Sequence, residues 1–283
     1  SSFSNMSDSP KYDQKYLDKN LEALKKEPLD AIVNNNLANY YSDKGEKLDW
    51  VNIGVKNKNI GTNSNEEGNY QIKIPATFKN EMLIFSRVGF EEYQIAVKDL
   101  ATENQKIILK TKTTTLNEVV ITNKKPKRKT LGTRGFTPMM WVNVGIRTGS
   151  YIEHGKLITL KSPAKLLTAN VKVAAHKNAN DSITYRLNIF KVVDGLPGNR
   201  LVEKNIIQTF PATSNILTFD LTKEAIYLAE DFVVSFEYLP SEQKSIVFGA
   251  KVGAANSFLR SSSQGLWRKN ELGGCTIYVT AEM

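Results

Sequence analysis

This chain of 283 residues has little of what chemistry usually needs. It holds one cysteine, Cys275, which excludes an intramolecular disulfide and any zinc site built on several thiolates. Cys275 lies in a strand-like run near the end, where a buried small hydrophobe is the ordinary reading. Its two histidines are His154 and His176. Neither opens the His-x-x-Glu spacing of a zinc carboxypeptidase, because Gly155-Lys156-Leu157 follows the first and Lys177-Asn178-Ala179 the second. No G-x-S-x-G elbow, P-loop or G-x-G-x-x-G turn is present. No apolar run approaches the ~20 residues that span a bilayer, and SSFSNMSDSP does not read as a signal peptide. A mature form left after signal removal would begin the same way. These absences point to a non-enzymatic chain without metal or cofactor.

Charge is the excess. The net charge is +9, but the first fifty or so residues are slightly acidic, and the basic residues peak between Lys125 and Arg134. That run contains Lys125, Lys127, Arg128, Lys129 and Arg134 with no acid and with Pro126 inside it. It lacks the interleaved aromatics of a nucleic-acid face. It therefore reads as a solvated linker over 123–135. Its sharper alternative is contact with an anionic membrane surface or a partner through Lys125, Lys127, Arg128 and Lys129.

The clearest stretch is Trp50–Pro75. Val51, Ile53 and Val55 alternate with Asn52 and Gly54, the period of a strand with one buried face. Tyr70, Ile72 and Ile74 alternate again, and Pro75 stops the ladder. Asn63, Asn65, Glu67 and Gly68 imitate the start of a calcium loop. The position that should supply its bidentate Glu is Ile74, so a turn is the better reading. Ahead of this stretch, Tyr12, Tyr16, Leu17, Leu21 and Leu24 form one stripe, which predicts a helix. Pro28 interrupts it, with Leu29, Ile32 and Val33 as a further turn. Residues 1–36 are thus expected to be a disordered start and a helical extension.

Short strands follow: LANYYS, MLIF, Tyr93–Val97, KIIL and LNEVVI. Their spacing fits an antiparallel sandwich over 37–122. Gly61-Thr62, Glu67-Gly68-Asn69-Tyr70, Leu83-Ile84-Phe85-Ser86, Gly89-Phe90 and Leu116-Asn117-Glu118-Val119-Val120-Ile121 together resemble the carboxypeptidase-regulatory-like domain of Bacteroidetes envelope proteins. The first strand, within LANYYSDKGEKLDW, lacks the glycine usual there. The resemblance implies a non-catalytic, transthyretin-like sandwich, attached to outer-membrane receptors or to secreted and periplasmic proteins. It implies a cell-envelope location, with an outer-membrane or other envelope protein as partner.

Beyond the linker the strands lengthen. In SITYRLNIFKVV, Ile183, Tyr185, Leu187 and Ile189 share one face, and Asp194-Gly195-Leu196-Pro197-Gly198 is a turn. Residues 136–283 are expected to close as a second antiparallel sandwich of jelly-roll type. This part resembles the sandwich that follows the regulatory-like domain in Bacteroidetes proteins. The whole chain is therefore expected to be mainly β, two antiparallel sandwiches after an N-terminal helix. Trp141, Phe258 and Trp267 are the aromatics that could stack on a sugar, the basis of an alternative reading as a carbohydrate-binding protein. Asp181-Ser182-Ile183 fits a three-residue pattern resembling Bacteroidetes O-glycosylation sites, although Ser182 can equally open a strand.

Overall fold

The structure, a computed structural model, describes residues 31–34, 40–100, 107–112, 126–143, 153–174, 182–239, 247–270 and 273–283. Among these residues the chain is mainly β, in several mostly antiparallel sheets.

The N-terminal unit holds β1 (Ala31–Asn34), β2 (Tyr40–Ser42), β3 (Asn52–Val55), β4 (Gly61–Asn63), β5 (Ile72–Pro75), β6 (Met82–Ser86), β7 (Tyr93–Ala96) and β8 (Ile107–Leu109). Four of them form an antiparallel sheet in the order β4-β3-β6-β7, β1 pairs antiparallel with β5, and β2 runs parallel to β8. The expected alternation holds. Val51, Ile53, Val55, Tyr70, Ile72 and Ile74 are all buried in one core with Leu83, Phe85, Ile107 and Leu109. The N-terminal helix is corrected where it can be followed. Ile32 and Val33 lie in β1, antiparallel to Ile74 and Lys73, rather than in a helical turn. β-branched residues beyond Pro28 favour an extended chain, and the IKIP edge offers it hydrogen bonds. The rest of the predicted helix, and the strand at 116–121, lie outside the described residues.

The C-terminal unit holds β9 (Arg128–Gly132), β10 (Trp141–Asn143), β11 (Glu153–Ile158), β12 (Ala164–Lys172), β13 (Ser182–Val193), β14 (Leu196–Arg200), β15 (Ile206–Pro211), β16 (Ile216–Asp220), β17 (Tyr227–Leu228), β18 (Phe232–Leu239), β19 (Val247–Val252), β20 (Ser257–Arg260), β21 (Arg268–Asn270), β22 (Gly273–Cys275) and β23 (Ile277–Glu282). A seven-stranded sheet runs β14-β13-β18-β11-β20-β21, with β15 also on β13. A five-stranded sheet runs β16-β12-β23-β9, with β17 on β12, and a three-stranded sheet runs β10-β19-β22. Their facing sides share a core that includes Leu166, Val171, Tyr185, Leu187, Ile189, Phe219, Phe236, Phe248 and Val279.

Two local expectations change. The run expected to be a linker contains β9, which pairs residue for residue with β23 from Tyr278↔Gly132 to Glu282↔Arg128. Leu131 packs on the core while Arg128, Lys129 and Thr130 face water. Arg128 and Lys129 thus stand on a sheet edge, where basic side chains resist pairing with other chains. The turn after β13 also shrinks to Asp194 and Gly195, at φ +50° and +76°. Two left-handed residues match the strand twist of a tight hairpin, so the strand resumes at Leu196.

Candidate functional site

The seven-stranded sheet carries an unusual outer face. Strand β13 alternates strictly: Ile183, Tyr185, Leu187 and Ile189 point into the core, which sends Arg186 and Asn188 to the other side. Strand β18 does the same with Ser235 and Glu237, and β11 with Glu153. This outer face is not solvated. Arg186 is 1% exposed, and Glu237 and Glu153 are 0%. Trp50, Asn52 and Asn63 of the N-terminal unit lie against Arg186 and Glu237, and Ser262–Gln264 between β20 and β21 lies against Gly54 and Gly61 of the same unit.

The polar groups form one connected network across this seam. The Nη1 of Arg186 donates to Glu237 Oε2 at 3.3 Å and to Asn52 Oδ1 at 2.8 Å, its Nη2 donates to the carbonyl of Trp50, and its Nε donates to Asn205 Oδ1 at 3.1 Å. Asn63 Nδ2 donates to Glu237 Oε1 at 3.1 Å, from β4 in the other unit. Asn188 Nδ2 bridges Glu237 Oε2 and Glu153 Oε1, both at 2.9 Å. Glu153 also accepts from Ser235 Oγ and, at 2.5 Å, from Arg260 Nε. Arg200 Nη2 donates to Asn188 Oδ1 at 3.0 Å. Burial alone would push the Glu237 carboxyl up. The guanidiniums of Arg186, Arg260 and Arg200, with the Asn188 amide, outweigh it and lower its pKa from 4.5 to about 2. Burial, and after it the nearby Arg186 charge, moves Arg200 the other way, below the usual guanidinium range.

Backbone shape makes the contact possible. Gly54 and Gly61 are register partners on β3 and β4. A Cβ on either would lie 2.3 Å or 2.4 Å from the carbonyl oxygen of Ser263, so the pair forms a flat pad on which that loop rests. The Asn57 N–H donates to the Gln264 carbonyl at 3.0 Å, and Gln264 Nε2 donates to Ser86 Oγ at 2.8 Å. Trp50, Asn57 and Gln264 all have positive φ, at +51°, +58° and +62°. For a bulky residue such as Trp50 that conformation is strained, and it is what turns the Trp50 carbonyl toward Arg186.

The aromatics expected to stack on sugars separate. Phe258 is buried with Phe190 and Val233 and presents no ring face. Trp267 stands edge-on to Phe190, and one of its faces is covered by the Arg260 guanidinium, 4.7 Å from the ring centroid. Trp141, 39% exposed, is the one that shows a ring to solvent. Of the basic contact residues, Arg128 and Lys129 lie on β9, and Lys127 exchanges backbone hydrogen bonds with Met283. Lys125 is outside the described residues. Ser182 opens β13. Among the described residues no group of three or more His, Cys, Asp or Glu could hold a metal ion, and no helix is long and apolar enough to cross a membrane.

Sequence reasoning missed the seam because Arg186, Asn188 and Glu237 occupy the alternate positions that normally face water. One signal was available. Strand β18 mixes Val233 and Leu239 with Ser235 and Glu237 on its outer side, the mark of a covered face.

Residues 40–121 match the family described as a CarboxypepD_reg-like domain, a regulatory, non-catalytic family. Among curated proteins nothing matches the chain. Among solved structures, the cysteine protease and lectin-like domains of a surface layer associated protein of Clostridium difficile align with 47% of this chain at 8% identity and a TM-score of 0.34. Infectious bursal disease virus, Gx strain, aligns with 82% of it at 10% identity and a TM-score of 0.29. This chain covers 33% and 60% of the lengths of those two, so it spans less than two thirds of either.

Proposed function

We propose that this protein is a non-enzymatic cell-envelope component, periplasmic or associated with the outer membrane, that works by binding other proteins. Its two units are read as sandwiches, transthyretin-like and then jelly-roll-like, locked into one body. The observation that carries the non-catalytic part is the state of the buried acids. All four carboxylate oxygens of Glu153 and Glu237 accept hydrogen bonds from neighbouring side chains, with Arg186 and Arg260 ion-paired to them. A general base needs a free lone pair aimed at a cleft. The Glu237 carboxylate is committed to the seam through Asn63, and that of Glu153 to Asn188, Ser235 and Arg260 within its own unit. The envelope setting rests on the matched domain and on the sequence resemblance described above.

Cross-linking in intact envelopes followed by mass spectrometry tests this reading. Recovery of the same envelope proteins in repeated captures supports it. Repeated captures with no envelope protein cross-linked would sink it. The alternative reading, a carbohydrate-binding protein, is favoured by one observation, the exposed ring of Trp141, and a panel of polysaccharides titrated against tryptophan fluorescence separates the two.

A further inference from the structure

One surface is built unlike the rest. The turn Thr137–Met140 is pinned on both sides to β19. The Thr137 N–H donates to Ala250 at 2.9 Å, the Ala250 N–H to Met140 at 3.0 Å, the Met140 N–H to Thr137 at 3.0 Å, and the Val252 N–H to Thr137 Oγ1 at 3.1 Å. At its tip Met139 is held at φ +63° and is 91% exposed. The turn, with Pro138 at its second position, calls for positive φ at its third, and an unbranched apolar side chain stands there out in water. Val252, at the same end of the sheet, is 60% exposed. Beside them the Phe136 and Trp141 rings meet at 5.0 Å between centroids, tilted by 51°. Trp141 sits opposite Gly249, the same residue whose missing side chain leaves room for the Lys172 stem and the Phe136 ring. The Lys172 ammonium lies 5.0 Å from the Phe136 ring centroid, and Lys251 lies over Gly135.

We propose that this end of the three-stranded sheet docks on an anionic lipid bilayer, with Met139 and Val252 entering the interface, Trp141 at headgroup depth, and Lys172 and Lys251 meeting lipid phosphates. Two features select a bilayer over a glycan. The protruding groups are aliphatic and thioether, which gain by leaving water but give nothing to a hydroxyl. A Trp flanked by cations is the composition of a membrane-surface contact. The site is separate from the seam and uses no protein partner, so it stands or falls apart from the reading above.

Co-sedimentation with vesicles tests it. The unmodified protein is expected to sediment with an equal mixture of phosphatidylcholine and phosphatidylglycerol, weakly with phosphatidylcholine alone, and less as salt rises. Met139→Ser combined with Val252→Ser should lower partitioning by roughly tenfold, and Lys251→Gln by about fivefold. Brominated lipid should quench the unmodified protein more than Trp141→Phe, a readout that needs no stability in the serine variant. Equal binding to neutral and anionic vesicles, no binding, unchanged partitioning in the variants, or retention on an acidic polysaccharide instead of vesicles would each overturn the proposal.

Discussion

Arg186 is the residue on which the two units most directly meet. It joins Glu237 on its own sheet to Asn52 and Trp50 on the other. Replacing it by Met would leave a buried carboxylate without its main cation, which costs about 3–5 kcal/mol. Chemical denaturation of Arg186→Met should show that loss, and pairing it with Glu237→Leu should recover part of it, because the unpaired charge is gone while Asn52, Asn63 and the Trp50 carbonyl still lose a partner. The pH dependence has a fixed sign. The folded pKa of Glu237 is depressed, from 4.5 to about 2. Its contribution is therefore complete above pH 4.5 and is lost as pH falls toward 2. Acid unfolding should fall in that window, and Arg186→Met should move its midpoint to higher pH. Cys275 supplies an independent check. Burial pushes its thiol up to about 12, so a thiol reagent at neutral pH should label it only after denaturation.

At the scale of strands and turns, the pad of Gly54 and Gly61 is the most demanding feature. Gly54→Ala or Gly61→Ala forces the Ser263 loop away, an overpacking cost of about 1–3 kcal/mol. Calorimetry should then resolve two transitions where the unmodified chain gives one; a single, unshifted transition would remove the pad from the account of the seam. Strand β9 makes a second case. A chain begun at residue 136, where composition places the domain boundary, strips the edge from β23 and should self-associate on size exclusion. A chain that also carries residues 126–135 should not. The element level also shows what could be read beforehand. Alternation at Val51–Val55, Tyr70–Ile74 and Ile183–Ile189 disclosed the cores, because a period of two reports burial directly. The same period misled on the outer faces. Arg186 and Glu237 look like solvated residues until a second sheet is known to lie over them, and that is a long-range fact no local pattern carries. Strand β9 was hidden for a related reason: Lys and Arg guard an edge and fill a linker with the same composition.

For the molecule as a whole, the seam is bonded from both sides: Arg186 and Glu237 reach across to Trp50, Asn52 and Asn63, and Gln264 reaches Ser86 and Asn57. Additivity fails for residues that share one network. Asn52→Ala and Asn188→Ala, one from each unit, should cost less together than the sum of their separate effects, as measured in a double-mutant cycle. The strained Trp50 carries the last consequence. Its carbonyl is aimed at Arg186 only while residue 50 keeps its left-handed turn. Among relatives that retain both units, positions 50, 52, 186 and 237 should therefore drift as a set. A lineage that lost the second sandwich should be free to relax residue 50 and to let the glycines at 54 and 61 acquire side chains, leaving a record of the partnership in the sequence of the first unit alone.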